Sequence, residues 1–141
     1  MHLTGYWFSD HDSPWKPGDR LVKFLERGSA PIAIVFGSTS TRKLAGIAPN
    51  FHNGLSPKNQ RGIIVGQKPE ELDSPIVFWQ EGFIPYDWLF KRSAIVIHHG
   101  GAGTTGKALR AGIPSIILPF TSDQPFWGRQ AYKLGAGPKP I

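Results

Sequence analysis

Five short apolar runs punctuate the chain, at Ile32 to Phe36, Ile63 to Val65, Ile76 to Trp79, Ala94 to Ile97 and Ser115 to Leu118. Each is rich in Ile, Val or aromatic side chains, is too short for a helix core and is apolar at consecutive positions rather than alternate ones. Strands covered on both faces read this way, because neither set of side chains meets water. Five such runs separated by polar or helix-patterned stretches predict an α/β fold, a Rossmann-like parallel sheet of five or six strands with helices on both faces.

The intervening helices differ in how well they are marked. Asp19 to Arg27 places Leu21, Val22, Phe24 and Leu25 on one broad face, and Gly28 supplies the stop. Thr104 to Ala111 lies between Gly103 and Gly112, with Pro114 beyond, and Pro125 to Leu134 starts on a proline and closes on Gly135. By contrast, Thr41 to Arg61 carries Gly46, Pro49, Asn53-Gly54 and Pro57, which speaks against one long helix there. At the front, Gly5-Tyr6-Trp7-Phe8 followed by Asp10 to Lys16 reads as an interdomain linker, so residues 1–16 are expected to be an entry segment and 17–141 the domain. Gly137-Pro138-Lys139-Pro140-Ile141 reads as the beginning of another strand, and both ends read as cut.

Composition narrows the classes. A length of 141 residues suits one domain with a core, and the 40% hydrophobic and 18% charged fractions are those of a globular chain, so the 17 Gly and 13 Pro are to be read as turns. The net charge of +6 biases the surface toward anions, whether nucleic acid, anionic lipid or a phosphorylated small molecule. The cations are spread with no run longer than two, which weighs against a polybasic tail. With no cysteine, disulfides, thiolate metal sites and thiol catalysis are excluded. The first residues lack the charged and apolar regions of a signal peptide, and the apolar runs fall far short of the roughly 20 residues that span a bilayer. The chain reads as soluble and cytoplasmic.

The segment richest in chemistry is Ile95-Val96-Ile97-His98-His99-Gly100-Gly101-Ala102-Gly103-Thr104-Thr105-Gly106. A buried strand runs through a glycine-rich turn into a helix, an arrangement that aims backbone N–H groups and the positive end of the helix dipole at a phosphate. Thr104 and Thr105 add hydroxyls, and His98 at the strand end is a further donor. The expected ligand is a diphosphate. A tight strand-to-helix connection without a ligand is the plainer reading of the same turn. Neighbouring strand side chains point to opposite faces, so His98 and His99 do not make a metal site.

Gly101-Ala102-Gly103-Thr104-Thr105-Gly106 also matches G-x-G-x-x-G, with Asp123 about 20 residues beyond, which keeps an NAD-binding oxidoreductase domain as the alternative. Against it, that fingerprint belongs to the first strand of its fold, and the acidic residue should close the next strand, whereas Asp123 falls several residues past Leu118. A non-catalytic anion- or nucleic-acid-binding domain is a third reading of the charge; the aromatic-basic interleaving of single-strand binders is not evident.

Taken together, His98-His99-Gly100-Gly101-Ala102-Gly103-Thr104-Thr105, Ala111-Gly112-Ile113-Pro114, Pro119-Phe120 and Asp123-Gln124-Pro125-Phe126-Trp127-Gly128 resemble the donor signature of family 1 GT-B glycosyltransferases, nearest in type to the bacterial and fungal sterol glucosyltransferases. Gly5-Tyr6-Trp7-Phe8, Phe36-Gly37-Ser38 and Ile84-Pro85-Tyr86-Asp87-Trp88-Leu89-Phe90 match in order, so the resemblance spans nearly the whole chain. It implies one half of a GT-B fold that binds a UDP-sugar, UDP-glucose above all, for inverting transfer to a hydroxyl of a lipophilic acceptor such as a sterol. It implies that Ser38, His98, Gly100, Gly101, Ala102, Gly103 and Thr104 hold the diphosphate, that Phe83 and Ile84 meet the uracil, and that Asp123 and Gln124 hold the sugar hydroxyls. It further implies no metal and no cofactor, a general base in an N-terminal acceptor-binding domain supplied in cis or by another chain, and hence a chain inactive by itself. Nucleic acid is not an expected partner; peripheral membrane contact through a lipophilic acceptor is. One departure is Gly106, which stands where many relatives carry a ribose-binding Glu, although the sterol-type branch often lacks it.

Overall fold

The computed structural model describes residues 2, 4–8, 14–37, 50–70 and 74–141. Helix α1 (Asp19–Glu26) opens after Gly18, whose carbonyl accepts the amides of Leu21 and Val22, and it buries Leu21 and Phe24. Strand β1 (Ile32–Val35) comes after it. Residues 50–55 are helical and run into a 3-10 turn at Ser56–Lys58. Next come β2 (Gly62–Val65), β3 (Val77–Gln80), the short helix α2 (Tyr86–Phe90), β4 (Ile95–His98), α3 (Ala102–Ala111), β5 (Ser115–Ile117) and α4 (Gln124–Lys133).

The strands form one sheet in the order β3-β2-β1-β4-β5, parallel throughout. Its two faces carry separate cores. On one, Leu21 and Phe24 of α1, Leu89 and Phe90 of α2 and Ala108 of α3 cover Ala33, Val35, Ile63 and Val96. On the other, Leu55 and the partly buried Phe51 cover Ile34, Phe36, Ile64 and Val77. The central strand thus meets side chains on both sides, the physical reason its sequence is apolar at every position.

The predicted strands lie within two residues of the observed ones. Helix α3 begins two residues earlier than expected: Gly101, extended at φ −61° and ψ 141°, is its N-cap, and Gly103 is already helical. The Asn53-Gly54 pair, read as a breaker, lies inside the helical stretch 50–55. A mid-helix glycine costs only about 1 kcal/mol, and burying Leu55 against the sheet outweighs it. Helix α2 was not anticipated; it is tied to α3 by an ion pair of 2.6 Å between Lys107 and Asp87. Beyond α4 the chain runs alongside β5 in the same direction, with Ser115 N–H donating to Ala136 O at 2.8 Å and Ile141 N–H to Ile117 O at 3.2 Å. Five strands are assigned among the described residues, and this last stretch lies where the sixth was expected.

Candidate functional site

The order β3-β2-β1-β4-β5 reverses direction between β1 and β4, and in such sheets the ligand crevice lies beyond the carboxyl ends of the two strands at the reversal. Val35 and His98 are register partners at those ends. The crevice is therefore lined by Phe36-Gly37 after β1 and by His98 to Gly101 after β4. Ser38, the expected diphosphate contact on the β1 side, lies outside the described residues. Gly37 takes φ +70°, and a Cβ there would approach His99 Cε1 to 3.4 Å.

The turn after β4 is tightly determined. Gly100 adopts φ +88°, and a Cβ on it would stand 2.8 Å from Ile117 Cγ2 and 2.9 Å from Gln124 O, so only glycine lets the chain pass. The Gly100 amide donates to His98 Nδ1 at 3.1 Å. Because that nitrogen accepts, the ring proton sits on Nε2, which is buried and has no partner among the described residues. His98 itself is fully buried, and burial, with His99 beside it, pushes its pKa down to about 4. The imidazole is consequently a neutral hydrogen-bond donor. His99 is half-buried; burial pushes its pKa down while the Val35 backbone and the charge of Asp123 pull the other way.

Helix α3 opens directly at this turn with no side-chain cap, and the amides of Ala102, Gly103 and Thr104 have no partner among the described residues. Among the described residues, nothing lies within 4 Å of where a Gly103 Cβ would be. The expected pair of threonine hydroxyls is reduced to one: Thr105 Oγ1 donates back to Gly101 O at 3.0 Å and is buried, which leaves Thr104. Among the described residues, three N–H groups without partners at the positive end of a helix dipole and a neutral imidazole donor at the end of the preceding strand form a donor set suited to an anion.

The other expected contacts divide. Phe83 comes directly after Gly82 (φ +75°) beyond the carboxyl end of β3 and is 72% exposed, so its ring is presented to solvent as a platform. Ile84 is buried in the core, which leaves only its backbone for any contact. Asp123 occupies the N-cap position of α4, but its carboxylate caps nothing; Oδ2 instead accepts the Trp127 indole N–H at 2.7 Å. Gln124 Oε1 is taken by the amides of Phe120 and Thr121, at 2.7 and 3.1 Å, so its NH₂ is what remains to face a ligand. Tyr6 was not singled out as a site residue, yet its ring sits on Gly106 and against Trp127. The one signal in the sequence was a glycine inside a helix, which marks a close approach.

A second cleft, of about 550 Å³, runs along the outer edge of β3 and is lined by Arg20, Lys23, Arg27 and Lys68. It has volume and charge but no buried unpartnered polar atom among the described residues, so the crevice is the better-built site. The dinucleotide fingerprint comes after the fourth strand rather than the first, and Asp123 stands at a helix start, six residues after β5 ends. Neither is the arrangement that motif requires.

A parallel sheet wound to both sides of a central strand, with an open helix terminus at the reversal, defines a Rossmann-like domain of the kind that forms each half of a GT-B glycosyltransferase. The chain belongs to the family of erythromycin biosynthesis protein CIII-like C-terminal domains, whose model matches residues 66–140. It is 39% identical over 147 aligned residues to sterol 3-beta-glucosyltransferase UGT80A2 of Arabidopsis thaliana, covering all of this chain and 23% of that protein. It is 33% identical to O-mycaminosyltylonolide 6-deoxyallosyltransferase of Streptomyces fradiae, covering 99% of this chain and 33% of that one. Among solved structures, spinosyn rhamnosyltransferase SpnG complexed with thymidine diphosphate superposes with a TM-score of 0.63 at 26% identity, over 79% of this chain and 32% of that chain. The chain thus spans about a quarter to a third of the length of these relatives. No helix among the described residues is long and apolar enough to cross a membrane.

Proposed function

We propose that this chain is the donor-binding half of an inverting glycosyltransferase that takes a UDP-sugar, UDP-glucose in the first instance, and delivers the hexose to a hydroxyl of a lipophilic acceptor such as a sterol. The observation that carries the reading is the junction of β4 and α3, where, among the described residues, the amides of Ala102, Gly103 and Thr104 at the helix start and the buried Nε2 proton of His98 at the strand end all lack partners. A diphosphate supplies the acceptors those donors lack. Phe83 offers an aromatic face to the uracil and Ile84 its backbone, while Asp123 Oδ1 and the Gln124 NH₂ offer an acceptor and a donor to sugar hydroxyls. The sterol glucosyltransferase relative favours glucose and a sterol-like acceptor.

In the reaction so proposed, an acceptor oxygen attacks the anomeric carbon, the bond from that carbon to the β-phosphate oxygen breaks, and UDP leaves with the electron pair. The acceptor proton passes to a base on an N-terminal acceptor-binding half. This chain's part is to stabilise the charge that develops on the departing diphosphate, with dipoles already oriented before the reaction. A donor of that kind lowers a barrier by about 3 kcal/mol. No metal is invoked, because the helix terminus and His98 take that role. Peripheral membrane contact would follow from the acceptor rather than from this domain.

Calorimetric titration of the chain with UDP, UDP-glucose and NAD tests the reading. Saturation at a hundred times Kd is expected to stabilise the fold by about 2.7 kcal/mol for the uridine ligands. Preference for NAD would overturn it.

A further inference from the structure

Tyr6 lies over α3: a Cβ at Gly106 would come within 2.7 Å of its ring carbons, so the glycine is the floor on which the ring rests. The ring stacks on Phe8 at 5.8 Å and leans on Trp127 at 5.5 Å between centroids. Trp127 in turn donates to Asp123 Oδ2 at 2.7 Å. Despite this tight seating, the Tyr6 hydroxyl is buried and has no hydrogen-bond partner among the described residues. Buried phenols nearly always find one, so an orphan hydroxyl marks a place where a partner is missing. Gly106 is four residues after Ala102, on the same face of α3 and one turn from the cradle. Asp123 acts electrostatically on both Tyr6 and His99, which joins this cluster to the crevice.

We propose that Tyr6 and Asp123 form a hydroxyl-recognition subsite beside the diphosphate cradle, in which the Tyr6 phenol hydrogen-bonds a hydroxyl of one of the donor's two sugar rings. The inference rests on the donor-site reading. A phenol that can donate, next to a carboxylate that can only accept, matches a vicinal diol, and both ribose and a hexose present one. Burial and the charge of Asp123 hold the phenol pKa above its ordinary value, so it keeps its proton throughout the physiological range.

Tyr6→Phe is the variant of choice, because it keeps the ring on Gly106 and deletes one oxygen. Wild type and variant are titrated calorimetrically with UDP, 2′-deoxyuridine diphosphate and UDP-glucose, and melted without ligand. Affinity for UDP-glucose is expected to fall about five- to tenfold, the worth of one hydrogen bond, with an unchanged or higher melting temperature because an unsatisfied buried oxygen has gone. If the hydroxyl recognised is the ribose 2′-OH, UDP shares the loss and the deoxy nucleotide does not; if it belongs to the hexose, the loss is confined to UDP-glucose. Gly106→Ala, which displaces the ring, is expected to reproduce the loss. Equal affinities of wild type and Tyr6→Phe for all three ligands would overturn the subsite while leaving the cradle intact. A wild type that binds none of them removes the donor-site reading and this inference together.

Discussion

Two strand-to-helix junctions lie side by side at the carboxyl edge of the sheet, and they treat their backbone amides in opposite ways. Between β5 and α4 every donor of the first helical turn is spent or absent: Gln124 N–H bonds Thr121 O, Pro125 has no N–H, and Phe126 and Trp127 both bond Asp123 O. The Gln124 side chain also absorbs the amides of Phe120 and Thr121. Between β4 and α3, in contrast, three amides and a buried imidazole proton have no partners among the described residues. A helix terminus is a site only where the chain declines to cap itself.

The contrast between the junctions can be broken most severely at Gly100, which belongs to both. Gly100→Ala forces φ +88° on a Cβ that would collide with Ile117 and Gln124 O, and urea unfolding is expected to show a loss of about 3 kcal/mol or more. A similar magnitude should appear as pH dependence. His98 titrates near 4 in the fold against about 6.5 when unfolded, so below 6.5 the unfolded chain binds the additional proton. Stability is therefore complete above about pH 6.5 and falls as the pH drops toward 4, by on the order of 3 kcal/mol. Unfolding free energies measured between pH 7.5 and 4 check this, and a His98→Ala variant should lose most of that slope.

Smaller effects sharpen the contrast. Gly103→Ala fits the fold, because its Cβ meets nothing, and should raise stability by about 0.5 to 1 kcal/mol while weakening UDP at least about tenfold, or roughly 1.4 kcal/mol, by calorimetry. Stability and affinity moving in opposite directions would identify the open space as the ligand's. At the closed junction, Gln124→Ala should cost about 1 kcal/mol of stability by freeing two amides, and thermal denaturation reads it.

The strands were legible because burial on both faces writes an uninterrupted apolar run, as at Ile32 to Val35. The turn at His99 to Gly101 was legible because glycine spacing encodes backbone geometry locally. Less visible was anything that depends on contacts between distant segments. Nothing near Tyr6 announces Gly106, a hundred residues on, and nothing near Gln124 tells that its carbonyl oxygen folds back on its own loop. Helix α2 escaped notice because five residues are too few to show a period. The two extra residues at the start of α3 were hidden by two glycines, either of which could begin a helix.

The bond from Gly100 to His98 Nδ1 has a wider meaning. It fixes the tautomer of a ring that burial already keeps uncharged, so the donors that the described residues bring to this junction are dipoles rather than full charges. Attraction between dipoles and an anion at contact range does not depend on releasing condensed counterions. An anion held by these donors alone is therefore expected to bind with little dependence on ionic strength, which titration of UDP at rising salt concentration checks.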